Sequence, residues 1–106
     1  MFPDLERRWC QAAEAALTLG DYELVGRLCA AMRADRPHHL DASYYEARLA
    51  LQWGDLNKAQ PLLEQVLRHD PQHWPARWAL GVVLLRRGDA DRGLARCREA
   101  AWQGLE

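Results

Sequence analysis

Small and apolar residues return along this chain at intervals of three and four, the spacing that lines one face of a helix. Ala42, Ala47, Ala50 and Trp53 form one such run, and Ala59, Leu63, Val66 and Leu67 form the next. No stretch alternates residue by residue as a half-buried strand does. The pattern predicts six helices, over roughly 4–19, 22–34, 40–53, 56–69, 75–87 and 90–103, and an all-α fold.

The breaks between these helices repeat. A shift of 34 residues superposes Pro3, Pro37 and Pro71, then Leu17, Leu51 and Leu85, then Gly20, Gly54 and Gly88 with Asp21, Asp55 and Asp89 behind them. Each shared position has a local reason. Glycine closes a helix in the left-handed conformation that other residues avoid. The following aspartate accepts the free N–H groups of the next helix start and opposes its dipole. Proline ends the second helix of each pair, because its ring disfavours helical geometry in the residue before it. The result is three helix pairs in one domain spanning 1–106, with repeats at about 6–39, 40–73 and 74–106.

On these residues the chain resembles the tetratricopeptide repeat family. The third repeat carries the match in Trp78, Leu80, Gly81, Leu84, Gly88 and Asp89, the second in Ala47, Gly54, Asp55, Ala59, Leu63, Asp70 and Pro71, and the first in Trp9, Ala13, Gly20, Asp21, Tyr22 and Pro37. The resemblance implies a right-handed superhelical solenoid of antiparallel helix pairs whose first helices line a concave face. Three positions depart from the family pattern. Glu46 stands where a buried Leu is usual and must be paired, partly exposed or poorly packed. Pro61 lies one turn into the fourth helix and deletes a backbone hydrogen bond. Gly93 replaces Ala and weakens the last helix by about 1 kcal/mol.

Charge narrows the function. Fourteen basic against fifteen acidic residues leave a net charge of −1, without the cationic surplus that displaces phosphate counterions, so nucleic acid is not the expected partner. No run approaches the ~20 apolar residues of a membrane span, and no secretory leader opens the chain. Cys10, Cys29 and Cys97 form no CxxC pair and suit a reducing compartment; cytoplasmic is the expected location.

No constellation points to catalysis or to a cofactor. His38, His39, His69 and His73 fall at the turns between repeats, and Pro71 separates the last two, so they read as polar loop residues rather than metal ligands. Cys29 and Cys97 share one core-facing repeat position, and Cys10 is the one thiol with a chance of access. Trp9, Trp53 and Trp102 read as packing residues, while Trp74 begins the fifth helix and either packs or lies exposed.

By resemblance the groove receives Arg7, Cys10, Glu14, Leu17 and Thr18 from the first repeat, and Asp41, Tyr44, Arg48, Leu51 and Gln52 from the second. Pro75, Trp78, Val82, Leu85 and Arg86 come from the third. Aromatic and aliphatic residues flanked by Arg48 and Arg86 imply a protein or peptide ligand carrying acidic and apolar residues. The carboxylate-gripping clamp known in this family is absent, since its positions hold Cys10, Glu14, Tyr45, Pro75 and Ala79. The leading expectation is therefore a protein–protein interaction module. The alternatives are the repeat region of a larger enzyme, such as a protein glycosyltransferase, and a small bacterial chaperone for a secretion or appendage subunit. Leu94, Cys97, Ala100, Ala101 and Trp102 cannot all turn inward, so Leu94 and Trp102 are expected to face either a homodimer partner or a further repeat. Leu105-Glu106 reads as a cloning remnant, in keeping with a fragment.

Overall fold

The structure, a computed structural model, describes residues 3–105, and within them every element is an α-helix: α1 (Pro3–Leu19), α2 (Tyr22–Asp35), α3 (Leu40–Gln52), α4 (Leu56–His69), α5 (Trp74–Arg86) and α6 (Ala90–Leu105). The reading of Leu105-Glu106 turns on Glu106, which lies outside the described residues.

Each turn is made as its sequence dictates. Gly20, Gly54 and Gly88 adopt φ of 79°, 75° and 88°. Behind them the Asp21, Asp55 and Asp89 carboxylates accept the amides of Leu24, Lys58 and Arg92 at 3.2, 3.1 and 3.3 Å, which fixes where α2, α4 and α6 begin. At the other end, Arg36 and Asp70 are driven out of helical geometry (φ −143° and −138°) by the proline that follows each.

The 34-residue period reappears as columns of buried residues. Ala13, Ala47 and Gly81 form one column, Val25, Ala59 and Gly93 a second, and Met32, Val66 and Ala100 a third. Each helix packs on its neighbours in sequence, α1 also touches α3, and α3 also touches α5, which sets the first helices of the pairs side by side. Pro61 is exposed and α4 runs on unbroken through it.

Glu46 is the paired case. The Arg33 guanidinium forks onto its carboxylate, Nε donating at 2.6 Å and Nη2 at 3.1 Å, while Nη1 donates to the Pro37 carbonyl at 3.0 Å and Nη2 also reaches Ser43 Oγ at 3.3 Å. One 34-residue step on, the same two positions are Leu67 and Leu80, which line one cleft. An ion pair thus replaces an apolar contact in the joint between α2 and α3. Glu46→Ala is expected to cost about 1–2 kcal/mol, since it strands a partly buried arginine. The Arg33→Leu, Glu46→Leu double variant should recover most of that loss, which urea titration of both variants will measure.

Trp53 and Trp102, read as packing residues, are 70% and 71% exposed. Trp53 caps the C-terminus of α3 at the turn and meets Tyr22 edge to face, at 5.5 Å between ring centroids. Trp102 sits on the side of α6 away from α5, whereas Ala100 is fully buried. Trp9 does pack against the core.

Candidate functional site

The concave side of α1, α3 and α5 encloses a groove of about 490 Å3 lined by Glu14, Tyr44, Arg48, Leu51, Gln52, Trp74, Pro75, Trp78, Ala79 and Val82. Helix periodicity builds it: Tyr44, Arg48 and Leu51 are one turn apart on α3, as are Trp74, Trp78 and Val82 on α5. Trp74 and Trp78 are 45% and 47% exposed and form the rim, while Tyr44, 8% exposed, is the floor. Its ring is wedged against Tyr45 at 5.1 Å and His73 at 5.0 Å, with the Arg48 guanidinium 5.6 Å from its centroid.

Charge in the groove is internally matched. Arg48 Nη1 donates to Glu14 Oε1 at 2.6 Å, and the Tyr45 hydroxyl donates to the same oxygen at 3.2 Å. Burial, with the nearby Cys10 and Glu14, pushes the Tyr45 phenol far up, so that hydroxyl stays a donor. Arg86 Nη1 donates to the Leu51 carbonyl at 3.0 Å, where the C-terminal dipole of α3 favours a cation.

Eight of the expected groove residues, Glu14, Tyr44, Arg48, Leu51, Gln52, Pro75, Trp78 and Val82, are gathered here. Arg7, Cys10 and Arg86 are not part of the lining. Cys10 is only partly exposed, with its carbonyl 3.4 Å from the Tyr45 hydroxyl. Burial, then the Asp41 carboxylate, pushes its thiol up to about 11. Burial does the same for Cys29, also to about 11, so both stay protonated near neutral pH and are poor nucleophiles. Leu17 packs on the core and Thr18 Oγ1 is turned to the Glu14 carbonyl. Leu85 lies over Gly93 of α6 instead of entering the groove. Trp74 and Ala79 are the additions. Trp74 stands four residues before Trp78, and that spacing alone could have assigned it to the same face.

The four histidines come together, with Asp41, Asp70, Arg36, Gln65 and Leu40, around a second cavity of about 460 Å3 at the turns between pairs. They are not merely loop residues. His39 Nδ1 accepts the Ala42 amide at 3.4 Å and His73 Nδ1 the Ala76 amide at 3.0 Å, so the two cap α3 and α5 at equivalent points of successive repeats. His39 is buried against the Trp9 ring, its Nε2 3.4 Å from Glu6. Among the described residues no three His, Cys, Asp or Glu side chains are placed to hold a metal ion, and no helix is long and apolar enough to cross a membrane.

On the outer face of α6, Leu94 and Trp102 are 46% and 71% exposed and Ala101 is exposed beside them, whereas Cys97 and Ala100 turn toward α5.

Comparison with known proteins bears on what these surfaces are for. A profile of the tetratricopeptide repeat matches residues 44–104, more than half of the chain. "FK506-binding protein-like" of Mus musculus is 35% identical over 96 residues, which is 89% of this chain and 27% of that protein. The Rattus norvegicus and Homo sapiens proteins of the same name are 36% and 34% identical over 84 and 83 residues, each matched over 24% of its length. The chain thus spans about a quarter of the length of the curated relatives it matches. These relatives are mammalian and lend nothing to the bacterial chaperone reading.

Proposed function

Because this chain belongs to the tetratricopeptide repeat family, we propose that it is a protein-interaction module that holds a segment of a partner protein in the groove between α1, α3 and α5. The observation that carries this reading is the pair of half-exposed indoles, Trp74 and Trp78, standing over an aromatic floor on an otherwise rigid helical surface. Exposed aromatic area of that kind is what interfaces concentrate into a few strong contacts. The test is selection of binding segments from a displayed peptide library by the wild-type chain and by a Trp74→Ala, Trp78→Ala double variant. Segments enriched only by the wild type support the groove. Equal enrichment by both chains puts the binding surface elsewhere.

The share of the relatives that the chain covers favours a second reading for the whole protein, in which these repeats are the docking arm of a longer FK506-binding-protein-like chain. Neither reading assigns a catalytic step or a cofactor to these residues, and the three free thiols fit a reducing compartment such as the cytoplasm. The outer face of α6 is the remaining surface. We read Leu94, Ala101 and Trp102 as the place where a second copy meets the chain. Sedimentation should then depend on concentration in the micromolar range for the wild type, and Trp102→Arg should sediment as a monomer throughout. A wild type that is monomeric at every concentration removes the dimer.

A further inference from the structure

The proposed groove reading leaves open what kind of segment fits, and the pairing of charges inside the groove decides among them. Among the described residues two charged side chains line it, Glu14 and Arg48, and they are bonded to each other at 2.6 Å. Glu14 also takes the Tyr45 hydroxyl, and Arg48 is held over the Tyr44 ring. Arg86, outside the lining, is tied to the last turn of α3 through the Leu51 carbonyl. The sequence places Arg48 and Arg86 beside the apolar stripe, which suggested an acidic ligand; in the folded chain each guanidinium already has a partner, Arg48 the Glu14 carboxylate and Arg86 the Leu51 carbonyl. A ligand carboxylate that reaches Arg48 in this groove either displaces Glu14 from it or shares it with the Glu14 carboxylate, whose side chain is half exposed. Both are unfavourable, because like charges repel and a broken pair leaves its partner desolvated. The rest of the lining, Leu51, Trp74, Pro75, Trp78, Ala79 and Val82, offers apolar contact, with the Gln52 amide as the uncharged polar group.

We propose that the groove selects an uncharged, apolar segment from the interior of a partner chain and discriminates against acidic segments and free C-terminal carboxylates. The proposal rests on the groove reading above and deepens it.

Two short synthetic peptides test it. One is acetylated and amidated and built of Leu, Pro and Gln; the other has Glu at every Gln and a free C-terminus. Titration is followed by the indole NMR signals of Trp74 and Trp78. The neutral peptide is expected to shift both signals with an affinity that high salt leaves unchanged, and the acidic one to bind about tenfold more weakly. Glu14→Gln releases Arg48, so it is expected to raise the affinity for the acidic peptide about tenfold and to make that binding salt-sensitive. If the acidic peptide moves the same signals in the wild type with equal or higher affinity, the selectivity is wrong while the groove stands. If Glu14→Gln leaves the discrimination untouched, the Glu14–Arg48 pair is not its source and the proposal falls. If neither peptide moves either indole signal, the groove reading falls and takes this one with it.

Discussion

Gly93→Ala should lower the stability of this chain, although alanine is the better helix former. Mid-helix glycine costs about 1 kcal/mol relative to alanine, so propensity alone favours the substitution. Packing reverses the sign. A Cβ on Gly93 would stand 2.7 Å from Leu85 Cγ, 2.9 Å from the Leu85 amide nitrogen and 3.0 Å from the Gly81 carbonyl oxygen. The last two are backbone atoms of α5, which cannot turn aside as a side chain can. Gly81 is the other half of the contact, since a Cβ there would lie 2.6 Å from Cys97 Sγ and 2.9 Å from the Gly93 carbonyl oxygen. The two helices therefore cross through a pair of missing methyl groups. Overpacking of this sort costs about 1–3 kcal/mol, and with the propensity gain of about 1 kcal/mol deducted the net loss should reach about 2 kcal/mol, since the obstructing atoms are backbone. In a domain of this size that is a fall of up to roughly 15 °C in melting temperature. Gly26 supplies the control inside the same molecule. It lies mid-helix in α2 with nothing within 4 Å of where a Cβ would be, so Gly26→Ala should raise the melting temperature. Thermal unfolding of the two variants side by side checks both signs, and a stabilised Gly93→Ala chain would mean that α5 and α6 do not approach this closely.

The largest effect on binding should come from Trp78→Ala, which is expected to weaken partner affinity by about 2 kcal/mol, or roughly thirtyfold in Kd. Trp78 lines the groove with its ring 47% exposed, so truncation removes contact area for the ligand while taking little from the core. The far-ultraviolet circular dichroism and melting temperature should accordingly stay close to wild type. Tyr44 is a poorer probe: it is 8% exposed and braced by Tyr45, His73 and Arg48, so its removal would disturb the fold along with the groove. Trp53 is the matched comparison, an exposed tryptophan on the turn edge outside the groove lining. Affinity measured for a selected peptide should fall with Trp78→Ala and hold within about twofold with Trp53→Ala. Equal losses for the two would make the effect one of general surface hydrophobicity instead of a site.

How much of this was legible beforehand differs from residue to residue. The six helices and their turns follow from local rules. A left-handed Gly, an Asp three residues before the amide it caps, and a Pro that straightens the residue before it all act within a few residues of themselves, so sequence alone places them. The faces of the helices follow from periodicity, whereas Glu14, Tyr44, Arg48, Leu51, Gln52, Trp78 and Val82 are assigned to one groove through the repeat positions that the family resemblance implies.

What sequence left undecided depends on partners distant along the chain. Glu46 could be recognised as out of place, but not as the partner of Arg33, 13 residues earlier on another helix. His39 and His73 looked like loop residues because a capping imidazole has the same composition as an idle one, and only the position of its ring nitrogen tells them apart. Gly93 looked like a weakness because propensity is a property of one helix, while the approach of α5 and α6 is a property of two. Arg48 and Arg86 looked like free cations until the fold brought Glu14 and the Leu51 carbonyl, 34 and 35 residues away, to meet them. The sequence determined which elements form and which faces they turn inward, because those depend on short-range sterics and a fixed helical period. Tertiary structure decided which charges remain unspent and where a missing methyl group is required, because both depend on what packing brings within a few ångströms.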